Sequence, residues 1–178
     1  SSAASDVYKR QVLDELNRMT AEAFADAFGD VAENSPWVAQ RAAKSRPFMS
    51  REDLIKTFST VLLGANADDQ LALLRAHPDL AGTALFAGRV TKISQNEQAD
   101  AGLDRLTAEE IQRFTELNNA YVARFAFPFI FAVKGATKDK ILASFEARVG
   151  NDLETEFANS LDNVCRIFRF RLEKLVAP

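Results

Sequence analysis

The only histidine of the chain, His77, stands in the string LLRAHPDLAG, directly before Pro78. Imidazole changes charge near pH 6.5, so it can carry a proton at neutral pH. Proline ends the helix that precedes it and leaves the carbonyls of the last turn without intrahelical partners. Two roles stay open for His77. It is either a basic side chain that bonds those carbonyls and favours the helix dipole, a gain of about 0.3–1 kcal/mol, or an acid or base at the mouth of a pocket.

Three other stretches could join it. SQNEQ, from Ser94 to Gln98, has the Ser-x-x-Glu spacing of a helix capping box. The same spacing would also bring a hydroxyl, the Glu97 carboxylate and the Gln98 amide together at a helix start, where free N–H groups favour an anionic ligand. FAFPFI, from Phe125 to Ile130, is either core or a flat pocket wall whose backbone groups are freed by Pro128. Of the C-terminal arginines Arg148, Arg166, Arg169 and Arg171, one pointing inward would hold a carboxylate or ureido oxygen through its planar fork. With one His and one Cys, an all-His/Cys metal site is excluded. No phosphate-binding glycine loop and no G-x-S-x-G elbow is present.

These groups need a scaffold, and 178 residues suffice for one domain with a core and a pocket. The 22 Lys plus Arg and 25 Asp plus Glu are mixed along the chain and leave a net charge of -3, so no basic stripe suits nucleic acid. The single cysteine, Cys165, allows no internal disulfide, and no apolar run reaches the roughly 18 residues of a membrane span. A cytoplasmic protein is expected. Ser1 to Gln11, which includes DVYKRQ and has no signal-peptide core, is expected to be non-native or disordered, with residues 12–178 forming the domain.

The 7 Gly and 5 Pro fall between segments whose apolar residues recur every three or four positions, which predicts an all-α fold. Thr20 should cap AEAFADAF, and Ser35 should cap a helix with Pro36 in its first position. Ser50 opens a helix to Gly64, with Leu54, Phe58, Val61 and Leu62 on one stripe. ADDQLALLRAHP stops at Pro78. Thr107 and Glu110 form a capping box for a helix whose stripe is Ile111, Phe114, Leu117, Tyr121 and Phe125. FPFIFAVKG could be extended or helical. Thr137 starts a helix that ends at Gly150, and a last helix runs from about Asp152 to Leu175, with Leu153, Phe157, Leu161, Val164, Phe168 and Leu172 at core spacing.

The strings SPWVAQRAA, HPDLAG, SQNEQADAGLDRLT and FTELNNAYVARFAFPFIFAVKG, in that order, resemble the 2-oxo-4-hydroxy-4-carboxy-5-ureidoimidazoline (OHCU) decarboxylases, which form allantoin at the end of urate breakdown. The likeness extends from Leu16 onward. It implies an all-α fold, no cofactor, a small ureidoimidazoline substrate and a homodimer. By the same resemblance His77 is the catalytic acid or base, polarised by Glu97. Pro78, Ser94, Gln98 and the backbone of Phe127, Pro128, Phe129, Ile130 and Phe131 contact substrate. Arg171 is the better match to the family's substrate-binding arginine, with Arg148 in reserve. One departure is Ala126, where the family has glycine; if that glycine has positive φ, alanine carries strain. Two other readings remain: a helical protein that binds a ureide without turning it over, and a purely structural domain with His77 against helix carbonyls.

Overall fold

A computed structural model of the chain describes residues 10–80 and 92–178. Among the described residues the elements are α1 (Leu13–Arg18), α2 (Ala21–Phe28), a 3-10 turn (Gly29–Ala32), α3 (Trp37–Ala43), α4 (Arg51–Leu63), α5 (Ala67–Ala76), α6 (Lys92–Asp100), α7 (Ala108–Phe125), α8 (Lys138–Arg148) and α9 (Leu153–Leu175). The architecture is all-α, as expected.

The helix starts are fixed by side chains that accept otherwise unbonded N–H groups. Thr20 accepts from Ala23 at 3.1 Å, Ser50 from Asp53 at 3.0 Å, Asn66 from Asp69 at 2.8 Å and Asp152 from Thr155 at 2.7 Å. Thr107 and Glu110 close the reciprocal box at 3.2 and 3.0 Å. Two expectations need correction. Pro36 occupies the N-cap of α3, so the helix starts one residue later than expected, and buried Ser35 gives its carbonyl to Val38 N at 3.2 Å instead of capping with its side chain. Ile111 and Leu153, in the first turns of α7 and α9, are exposed, because neighbouring elements cover the stripes only further along.

The long helix α9 forms the spine. It packs on α4, the 3-10 turn, α5 and α7, and it buries Leu161, Val164, Ile167, Phe168 and Leu172. Burying each such side chain is worth about 1.5–3 kcal/mol relative to exposure. FPFIFAVKG forms neither a helix nor a strand: residues 126–136 run irregularly between α7 and α8, with Phe127, Phe129 and Ile130 buried. Phe129 stacks on Phe145 with centroids 3.8 Å apart.

The reading of residues 1–9 as non-native or disordered lies outside the described residues. At the end of that segment the Gln11 N–H donates to Leu175 O at 2.8 Å and the Gln11 carbonyl accepts from Ala177 N at 2.9 Å. No helix among the described residues is long and apolar enough to cross a membrane.

Candidate active site

The site is built on the end of α5. Pro78 cannot continue the helix, and His77 takes the C-cap position with extended backbone. Asn34, held at φ 62, donates from Nδ2 to the Ala76 carbonyl at 3.0 Å and so fixes the turn that carries the imidazole. His77 Nδ1 lies 3.1 Å from the Pro78 carbonyl. A carbonyl only accepts, so Nδ1 bears the proton and Nε2 holds the lone pair. Nε2 is buried and has no hydrogen-bond partner among the described residues. Burial, followed by the charge of Arg171, pushes the His77 pKa down to about 4, against the opposing pull of the Pro78 carbonyl, Glu33 and Glu97. At neutral pH the ring is uncharged and its free nitrogen accepts.

His77 borders a cavity of about 430 Å³, also lined by Pro78, Leu80, Ser94, Glu97, Gln98 and Asp100, by Phe131 and Val133 to Ala136, and by Ile167, Phe170, Arg171 and Lys174. This volume is in the range of small-molecule sites. Among the described residues, three helices and one irregular run supply it. Ser94, Glu97 and Gln98 recur at three- and four-residue spacing on α6 and share one face. Ile167, Phe170, Arg171 and Lys174 do the same on α9.

The capping-box reading of SQNEQ fails, because α6 already includes Lys92 and Ser94 lies within it. The Ser94 hydroxyl instead makes a tight hydrogen bond to the Glu33 carboxylate and accepts from Arg171 Nη2 at 3.1 Å. Arg171, 2% exposed, spends every N–H on the protein. Its Nε and Nη2 form a fork on Glu97 at 3.0 and 2.9 Å, Nη2 also reaches Ser94, and Nη1 bonds the carbonyls of Asp30 and Val31 at 3.3 and 3.2 Å. A guanidinium has five N–H donors, and all are used. The fork of Arg171, expected to face a substrate, lies on Glu97 in this structure and orients it. Glu97 is bound to Arg171, and the expected polarisation of His77 by Glu97 acts through space and not through a hydrogen bond.

Other expected contacts lie elsewhere. Arg148 does not border the cavity; it forms a fork on buried Glu156 at 2.9–3.0 Å and donates to the Ile130 carbonyl at 2.7 Å. Phe129 and Ile130 are core residues, with the Ile130 carbonyl held by that arginine. Phe127 and Pro128 line a shallower groove on the other flank of His77 and Pro78. Of FPFIF, Phe131 alone lines the main cavity. The sequence reading missed Glu33, Asn34, Lys134, Phe170 and Lys174. Glu33 and Asn34 act on residues tens of positions away and have no local signature; a heptad count on α9 would have placed Phe170 and Lys174 beside Arg171.

Residues 17–173 match the family model described as OHCU decarboxylase. The chain belongs to the OHCU decarboxylase family. Among family members, it is 43% identical over 160 residues to the 2-oxo-4-hydroxy-4-carboxy-5-ureidoimidazoline decarboxylase of Haloferax volcanii, covering 90% of this chain and 93% of that one. It is 41% identical to the protein of the same name from Halalkalicoccus jeotgali, covering 95% and 94%. Its fold also superposes on the crystal structure of an (S)-allantoin synthase with a TM-score of 0.75 and 29% identity. That match covers 93% of this chain and 54% of the synthase, so this chain spans about half the synthase's length.

Proposed function

We propose that this OHCU decarboxylase family member converts 2-oxo-4-hydroxy-4-carboxy-5-ureidoimidazoline to (S)-allantoin and carbon dioxide in the cytoplasm, as a homodimer. The observation that carries the chemistry is a neutral His77 on the wall of a cavity of the right size, with its Nε2 lone pair unbonded among the described residues. The substrate class comes from the family membership.

In the substrate, one ring carbon bears both the carboxylate and a hydroxyl, beside a ring C=N. When the bond to the carboxylate breaks, its electron pair forms a ring C=C and the C=N electrons move onto nitrogen, which takes up a proton. The substrate is its own electron sink. His77 Nε2 accepts the hydroxyl proton as that oxygen becomes a carbonyl and returns a proton to the neighbouring carbon from one face, giving one enantiomer. Glu97, held by Arg171, places negative charge beside the imidazolium that forms transiently. Pro78, Ser94, Gln98 and Phe131 border the substrate and hold its hydrogen-bonding edge.

The test is to generate the substrate in place from urate with urate oxidase and hydroxyisourate hydrolase, and to follow product circular dichroism. Wild type should give rapid growth of one enantiomer, and His77→Ala should lose about 10²- to 10⁴-fold in rate while staying folded. Racemic product at the uncatalysed rate with wild type overturns the reading; saturable binding without turnover would then identify a ureide-binding protein. Sedimentation should give about twice the 19.7 kDa chain mass.

A further inference from the structure

The substrate of the proposed reaction is an anion, and Arg171, the arginine on the cavity among the described residues, has no donor left for it. Other cations border the same space. Lys134 and Lys174 both line the cavity, and neither takes part in an ion pair among the described residues.

Lys134 is not on a loose loop. Ala136 N donates to Val133 O at 3.0 Å, and Gly135 adopts φ 77, so Val133 to Ala136 form a turn with Lys134 at its second position and glycine where a positive φ is required. Just before it, Ala132 N donates to Asn163 Oδ1 at 3.0 Å. The ammonium rests 5.0 Å from the ring centroid of Phe170, itself a cavity wall. Lys174 follows Arg171 by three residues on α9 and faces the same opening.

We propose that Lys134, seconded by Lys174, recognises the substrate carboxylate at the cavity mouth; the proposal rests on the decarboxylase reading above. The chemistry favours cations that meet the carboxylate on entry over a cation that stays paired with it during cleavage. Negative charge leaves the carboxylate as the C–C bond breaks, so a cation paired with it at the reacting position would stabilise the ground state more than the transition state. Cations at the mouth, with the deep cation fully paired to the protein, draw the anion in and leave cleavage unhindered. The lysines therefore act on capture and KM.

The experiment compares wild type, Lys134→Gln, Lys134→Arg and the double variant Lys134→Gln/Lys174→Gln in the coupled assay at low and high ionic strength. Inhibition by (S)-allantoin, which lacks the carboxylate and is neutral, is measured alongside. Lys134→Gln should lower kcat/KM by about five-fold at low salt, the effect of one partly solvated charge contact, with kcat within two-fold. The double variant should lose about 20-fold or more. The deficits should shrink at 1 M salt, where the Debye length falls to about 3 Å, Lys134→Arg should retain wild-type kcat/KM, and allantoin inhibition should not change. Unaltered kcat/KM in the double variant overturns the proposal. So does a parallel loss of allantoin inhibition, which would mean that Lys134 only shapes the wall through Phe170. A wild type that does not accelerate the reaction overturns the decarboxylase reading, and this proposal with it.

Discussion

Nε2 of His77 is left as a bare acceptor by its own neighbours: the Pro78 carbonyl claims the Nδ1 proton, and burial beside Arg171 keeps a second proton off. The same arrangement sets a pH dependence of stability. Unfolded imidazole takes up a proton below pH 6.5, whereas the folded ring does so only near 4. The unfolded state thus binds more protons between these values, and stability falls as pH drops through that window, by up to about 3 kcal/mol. Denaturant titrations from pH 7.5 to 4.5 should show wild type losing more stability than His77→Gln; parallel curves would show that the imidazole is not held neutral. The place of His77 at a helix exit was legible because proline and helix periodicity are local. The partners of Arg171 were not, because Glu33 and the α6 pair Ser94 and Glu97 reach it from two parts of the chain far from α9 in sequence.

Helix α7 ends on Ala126, whose φ of 61 and ψ of 23 put it in the left-handed region. The sequence comparison raised this position as one of strain, and the geometry bears it out: an L-residue with a Cβ costs about 1–2 kcal/mol there. Ala126→Gly should raise stability by about 1 kcal/mol after the added freedom of the unfolded chain is counted, a rise of about 2–4 °C in Tm for a domain this size. An unchanged or lower melting point would show that the Ala126 methyl packs well enough to offset its backbone. Most helix caps were readable because a cap depends on residues three apart. SQNEQ matched the same pattern and misled, since tertiary partners at Glu33 and Arg171 place Ser94 inside α6. FPFIFAVKG stayed ambiguous because its conformation is set by rings stacked in the core and not by its own periodicity.

Across the whole molecule a second buried ion pair, away from the cavity, ties helices together. Tyr121 of α7 donates to Glu156 of α9 at 2.8 Å, and Arg148 at the end of α8 binds the same carboxylate. Burial pushes the Glu156 carboxyl up, but the hydrogen bonds from Arg148 and Tyr121 hold it below the ordinary glutamate range. Arg148→Met should cost about 3–5 kcal/mol by leaving a buried charge unpaired, and Arg148→Met/Glu156→Met should recover part of that loss. Thermal unfolding of the two variants decides it: equal melting points would place the energy in packing and not in charge.

The bridge between Gln11 and Val176 has a consequence of another kind. The polypeptide enters and leaves this fold side by side, so it can be carried inside a longer protein without stretching either junction. A unit of this shape is portable, because a neighbouring domain joined at both ends would meet it at one place on its surface.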